Sequence, residues 1–180
     1  MDADQPDIAG FLAAWDPVVA GLAAAAQGNT QAARAVGRYL SSYRRSDDWA
    51  GLAGALSQIL QNADRPAPAG DFDVIDAVVL RRAADAAAGR SPVPPELWPA
   101  MPLGPVLGVI TDAARGHNPV GAQQAIDDLA SEPTFAPLAP ALSEILAGNH
   151  DPGLASALDN PTFRAVIACI LDHAGTDREA

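Results

Sequence analysis

Apolar positions along this chain recur every three to four residues, and no stretch alternates in twos with β-branched enrichment. That is the pattern of helices buried along one face, with no sheet expected. Ile8, Phe11, Leu12 and Trp15 make the first stripe. Asp16-Pro17 then reads as an N-cap and a first-turn proline, so a second helix is predicted from Pro17 to Gly28. Asn29 caps a third helix with Ala32, Val36, Tyr39, Leu40 and Tyr43 inward. Asp47 or Asp48 caps a fourth, with Trp49, Leu52, Ala53, Leu56, Ile59 and Leu60 inward. After a loop from Ala63 to Gly70, Asp71 is the expected cap of a helix carrying Ile75, Val78, Val79, Ala83 and Ala86. Arg81 and Arg82 fall on its outer face one turn before Asp85, a solvent-exposed pairing.

Arg90 to Pro105 holds six prolines, so few of its amides can join a helix and it reads as a connector pinned by Leu97 and Trp98. Beyond it the scheme returns. A helix runs from Pro105 to Arg115, and Asn118-Pro119 starts another. Phe135, Leu138, Ala139, Leu142, Ile145 and Leu146 form a stripe, and Asn160-Pro161 opens a last helix with Phe163, Val166, Ile167, Ile170 and Leu171 inward. The return is also literal. Leu52 to Leu60 reads LAGALSQIL and Leu138 to Leu146 reads LAPALSEIL, identical at seven of nine positions. Pro17-Val18-Val19 answers to Pro105-Val106-Leu107, Gly28 to Gly116, Trp49 to Phe135 and Phe72-Asp73 to Leu158-Asp159. The expected fold is therefore all-α: a duplicated multi-helix unit forming a short helical-repeat solenoid or bundle. Its expected parts are residues 1–89, a proline-rich connector at 90–104, and residues 105–180, packed as one compact domain.

Composition narrows the partners. Apolar residues supply 49% of the 180 positions, much of it alanine, so the core should be closely spaced helices with few aromatics. The formal charge of −11 argues against nucleic acid and anionic membrane as partners, since both need cations to neutralise phosphates. All eleven basic residues are arginine, which suggests a high-GC bacterial source. It also rules out a Schiff-base or P-loop lysine in this chain. Cys169 is the single cysteine, so an intrachain disulfide or a cysteine metal cluster is excluded. The acidic start MDADQPD is unlike a secretory leader, and no apolar run in the sequence approaches spanning length, so the cytoplasm is the expected compartment.

From Phe135 to Leu171 the chain resembles helical-repeat modules, tetratricopeptide-like in character, of large bacterial signalling proteins. Those proteins join such repeats to a signal-transducing NTPase or a caspase-like protease. The residues that carry the resemblance are Leu138, Ala141, Leu142, Ile145, Leu146, Ala147, Gly148, Asp151, Leu158, Asp159, Ala165, Val166, Ile167, Ile170 and Leu171. They are packing residues. The resemblance implies a recognition or regulatory module and brings over no catalytic residue.

No nucleophile elbow, Walker loop, H-E-x-x-H, C-x-x-C or EF-hand pattern occurs. His117, His150 and His173 lie near turns, where helix-end solvation accounts for them, and Cys169 lies beside an apolar stripe as a buried thiol would. The pattern left over is electrostatic. Arg34, Arg38 and Arg45 make a basic stripe on an acidic protein, whereas the corresponding helix of the second half carries Asp127 and Asp128. The sequence thus points to a non-catalytic module without cofactor or metal, binding a peptide or helix of a protein partner or a second copy of itself. Two other readings stay open. One is a bundle enclosing a small apolar ligand. The other is an enzyme whose acid–base pair, such as Asp76 or Asp112 with a histidine, is assembled across helices.

Overall fold

The computed structural model describes residues 8–46, 48–63 and 70–175, and among them the chain is all-α, with no strand. The α-helices are α1 (Ala9–Ala26), α2 (Thr30–Tyr43), α3 (Ala50–Gln61), α4 (Val74–Ala87), α5 (Gly104–Ala114), α6 (Pro119–Ser131), α7 (Ala139–Leu146), α8 (Gly153–Ser156) and α9 (Pro161–Gly175). Two 3-10 segments, Pro95–Leu103 and Ala136–Leu138, complete the set.

Several caps lie where side-chain chemistry demands. Asn29 accepts from the amides of Gln31 and Ala32, and Asn160 accepts from Thr162 and Phe163. Asn118 accepts from Gly121 while holding a left-handed φ of 42°, which asparagine tolerates better than most residues. Two expected caps move. Asp73, not Asp71, accepts from the Asp76 amide at 2.8 Å, because the helix begins only at Val74. Trp49 occupies the N-cap position of α3 without a side-chain cap bond, so Asp48 is not the N-cap, and Asp47 lies outside the described residues.

The two helices expected on either side of Asp16-Pro17 are one. α1 runs 18 residues with Pro17 inside it, although proline removes an amide donor and crowds the preceding turn. Burial outweighs that penalty: Val18, Val19 and Leu22 are each about 1% exposed. The fusion also makes α1 long and apolar enough to cross a membrane, contrary to the reading of short stripes, although 72% of that stretch is buried within the protein. The proline segment differs too. Pro95–Leu103 winds as a 3-10 helix, for which φ near −65° at each proline is suitable, and it buries Leu97, Ala100, Met101 and Leu103.

By contacts the chain divides into Trp15–Met101 and, separately, Met1–Ala14 with Pro102–Ala180. The start of α1, up to Ala14, thus goes with the C-terminal half, and the 3-10 segment up to Met101 belongs with the unit before it. In the Trp15–Met101 unit α2 packs on α3 and α3 on α4, with Leu40, Leu52, Leu56, Ile59 and Leu80 at the centre. In the other unit α5 packs on α6 and α9, and α7 packs on α6, α5 and α9, around Leu107, Ile110, Leu138, Leu142 and Ile145.

Close approach within each unit depends on glycine. A Cβ on Gly108 of α5 would stand 2.9 Å from the Gly10 carbonyl and 3.2 Å from the Ala14 Cβ of α1. A Cβ on Gly10 would collide with the Asp112 carboxylate, and one on Gly21 with Val36. The Asp112 carboxylate therefore lies against the first turn of α1, where amides lack intrahelical partners and the helix dipole favours an anion. Within the same unit Arg115 donates to the His173 carbonyl in the last turn of α9, at 3.1 Å.

The Trp15–Met101 unit holds an ion pair that no local pattern announces. Arg82 does not lie outward toward Asp85. Its Nε and Nη2 grip the two oxygens of Asp16 at 2.6 and 2.9 Å, and Asp85 pairs with Arg90 instead. Asp16 is only 4% exposed, so its charge needs that fork.

Gly108→Ala should lower stability by about 1–3 kcal/mol, because backbone must shift to admit the methyl group. Gly54→Ala, in α3 with nothing within 4 Å of an added Cβ, should be neutral or stabilising by up to about 1 kcal/mol. Thermal and urea unfolding of both variants check the contrast. Arg82→Met leaves the Asp16 carboxylate buried without its guanidinium and should cost about 1–3 kcal/mol. A double-mutant cycle with Asp16→Asn should return a coupling above about 0.5 kcal/mol, and additive losses would contradict it.

Candidate functional site

The α2 surface is built from local rules. Its inner edge, Ala32, Val36 and Leu40, is fully buried, which turns Thr30, Arg34, Gly37, Arg38 and Ser41 toward solvent at the spacing of one helix face. Thr30, Gln31, Arg34, Gly37, Arg38 and Ser41 line an open depression of about 980 Å³. Gly37 is the lining residue that contributes no side chain. The atom nearest to where its Cβ would stand is a Leu60 methyl of α3 at 3.8 Å. Arg34 and Arg38 are exposed and form no ion pair among the described residues. Arg45 is exposed too, but α2 ends at Tyr43, so Arg45 sits in the turn beyond and is not on the same stripe.

Behind this face stands an aromatic row. Tyr39 and Tyr43 share a hydroxyl–hydroxyl hydrogen bond of 3.2 Å. Tyr43 packs on Trp15 and Trp15 on Trp49, with centroids 5.8 and 5.7 Å apart in tilted geometry. Burial, reinforced by the Tyr43 hydroxyl, raises the Tyr39 phenol above its ordinary range, so it stays protonated. Tyr39 and Tyr43 are half-buried, whereas Arg34 and Arg38 are exposed.

On α6, in the other unit, Asp127 and Asp128 are exposed. Gln123 donates to Asp127 at 3.0 Å and Gln124 to Asp128 at 3.1 Å, each one turn away, which orients the carboxylates outward along the helix. Val120 on the same face is 81% exposed.

Of the acidic candidates for an assembled acid–base site, Asp76 belongs to the Trp15–Met101 unit and Asp112 to the other. Asp76 sits in the first turn of α4 beside Asp73, and partial burial, followed by the Asp73 charge, raises its pKa. Asp112 is placed against Gly10. The His150 Nδ1 and Thr111 Oγ1 atoms are buried without a hydrogen-bond partner among the described residues, and the Cys169 side chain is buried.

The arginines are legible from the sequence. Thr30, Gln31, Gly37 and Ser41 carry no motif of their own, although their spacing from Arg34 and Arg38 places them on the same helix face. In comparisons with known proteins, no family model, no curated protein and no solved structure matches the chain.

The raised Asp76 pKa has a signed consequence. Protonation favours the folded state, so this group's contribution is fully present below its ordinary value near 3.8 and is lost as pH rises through the higher folded value. Asp76→Asn should therefore gain stability relative to the parent at neutral pH and match it at the acid end. Urea unfolding at both pH values measures the difference.

Proposed function

We propose that this protein is a non-catalytic recognition module, and that the exposed α2 face receives an acidic peptide or helix of a protein partner. The observation that carries the reading is the pair Arg34 and Arg38, one helical turn apart. With Gly37 they line an open depression on a protein of net charge −11. Arginine forks suit carboxylates, and the glycine lets a partner backbone or side chain come close to α2. Most of the surrounding charge is negative, so such a site discriminates by local charge more than by net field.

The wider architecture of this reading is a duplicated helical unit of solenoid type. Its support is the matched chemistry of α3 and α7. Leu52, Ala53, Ala55, Leu56 and Ile59 are buried, as are Leu138, Ala139, Ala141, Leu142 and Ile145. Ser57 and Ser143 each donate to the carbonyl four residues back, at 2.7 and 2.9 Å. Gly28 and Gly116 end their helices with φ of 92° and 95°. Tandem units of this kind bind partners along helix faces. The resemblance of residues 135–171 makes a bacterial signalling NTPase or caspase-like protease the kind of partner to try, in the cytoplasm.

The test uses a fluorescent helical peptide with carboxylates at i, i+4 spacing. It should bind the full chain, bind more weakly as salt rises, and lose at least about tenfold in affinity to Arg34→Glu/Arg38→Glu. Equal binding of a neutral analogue, or no effect of the double substitution, would overturn the assignment to α2.

A further inference from the structure

The geometry points to a particular occupant for the α2 face: the α6 face of a second copy of this chain. This inference rests on the recognition reading and names its partner. Successive i, i+4 positions lie about 6 Å apart along a helix, so Arg34 and Arg38 offer two guanidinium groups at that interval. On α6 the line Val120, Gln124, Asp128 follows the same interval, and the exposed Glu132 comes next at the C-cap. Asp127 lies alongside, and each aspartate accepts a hydrogen bond from a glutamine one turn before it. The charges are opposite, and Asp128 and Glu132 repeat the four-residue interval of Arg34 and Arg38. The shapes differ in a compatible sense, since α2 offers an open depression lined in part by Gly37 whereas α6 carries Val120 at 81% exposure.

The two faces belong to different helices of the same chain, so pairing between copies is head-to-tail. Such contacts close into rings or extend into open chains, unlike a two-fold dimer. Exposed arginine–carboxylate pairs each contribute little, and two chains of charge −11 repel at long range. The association is therefore weak, in the high-micromolar to millimolar range. It needs enough salt to screen the repulsion and too little to screen the local pairs.

Sedimentation equilibrium of the full chain tests this with two charge-reversed variants, Arg34→Glu/Arg38→Glu and Asp127→Arg/Asp128→Arg. The parent should show a concentration-dependent rise in mass near ~0.1 M salt that falls away by ~0.5 M. Each variant alone should remain monomeric, because its two faces now carry like charge. An equimolar mixture of the two should associate again, because every face then finds its opposite. Recovery in the mixture cannot come from misfolding and supports the pairing. A parent that stays monomeric at millimolar concentration and every ionic strength overturns it, as does a mixture that fails to associate. The recognition reading is scored separately. If Asp127→Arg/Asp128→Arg, with α2 intact, binds the acidic peptide while no self-association occurs, the α2 site stands and only the second copy is wrong.

Discussion

A carboxylate in the middle of a buried helix needs a cation or it takes the helix out of the core. Asp16 lies within α1 at 4% exposure, and the Arg82 guanidinium from α4 meets both of its oxygens. That fork ties the start of the Trp15–Met101 unit to its fourth helix, across 66 residues of sequence. It lets α1 continue through Pro17 where an N-cap would have begun a new helix. The hydrophobic return comes from Val18, Val19 and Leu22 just beyond, whose burial requires this path of the chain.

Around that constraint the packing is of small side chains. Alanine makes much of the apolar content, and glycine supplies the closest approaches. Gly10 and Gly108 meet within one unit, and Gly21 lies against Val36 in the other. Helices brought this near leave little room for large side chains, and four aromatic rings gather in one row behind α2: Trp15, Tyr39, Tyr43 and Trp49. Helix α2 then exposes a face that lies outside the core. Arg34 and Arg38 add nothing to the core, and their charge runs against that of the chain as a whole.

Function on this account is a property of surfaces. The α2 face carries arginines around an open depression, and the α6 face is acidic, with the exposed apolar Val120 at its start. Each is formed by ordinary helix periodicity: once one edge of a helix is buried, the identity of the opposite edge is settled by register. Such a design needs no converging catalytic groups. It depends on which charges face solvent at fixed intervals.

Much of this is already contained in the local pattern. Periodicity of apolar residues determined the helical class and the inward edges of α2, α3, α7 and α9, because a 3.6-residue repeat leaves one way to bury a stripe. It likewise placed Arg34 and Arg38 on one exposed face. Asn29, Asn118 and Asn160 marked their helix starts because an asparagine side chain meets amides that no carbonyl can reach. Tertiary structure alone decided the rest. Asp16-Pro17 is locally a helix start and became a helix interior, since the burial on both sides outweighs the cap. Arg82 is locally a surface partner for Asp85 and instead serves a residue far away in sequence. The proline segment is locally a breaker and winds as a 3-10 helix, since its apolar side chains gain by turning inward. Local rules count only the contacts a residue makes with its neighbours in sequence, and these three positions are governed by partners that folding alone brings near.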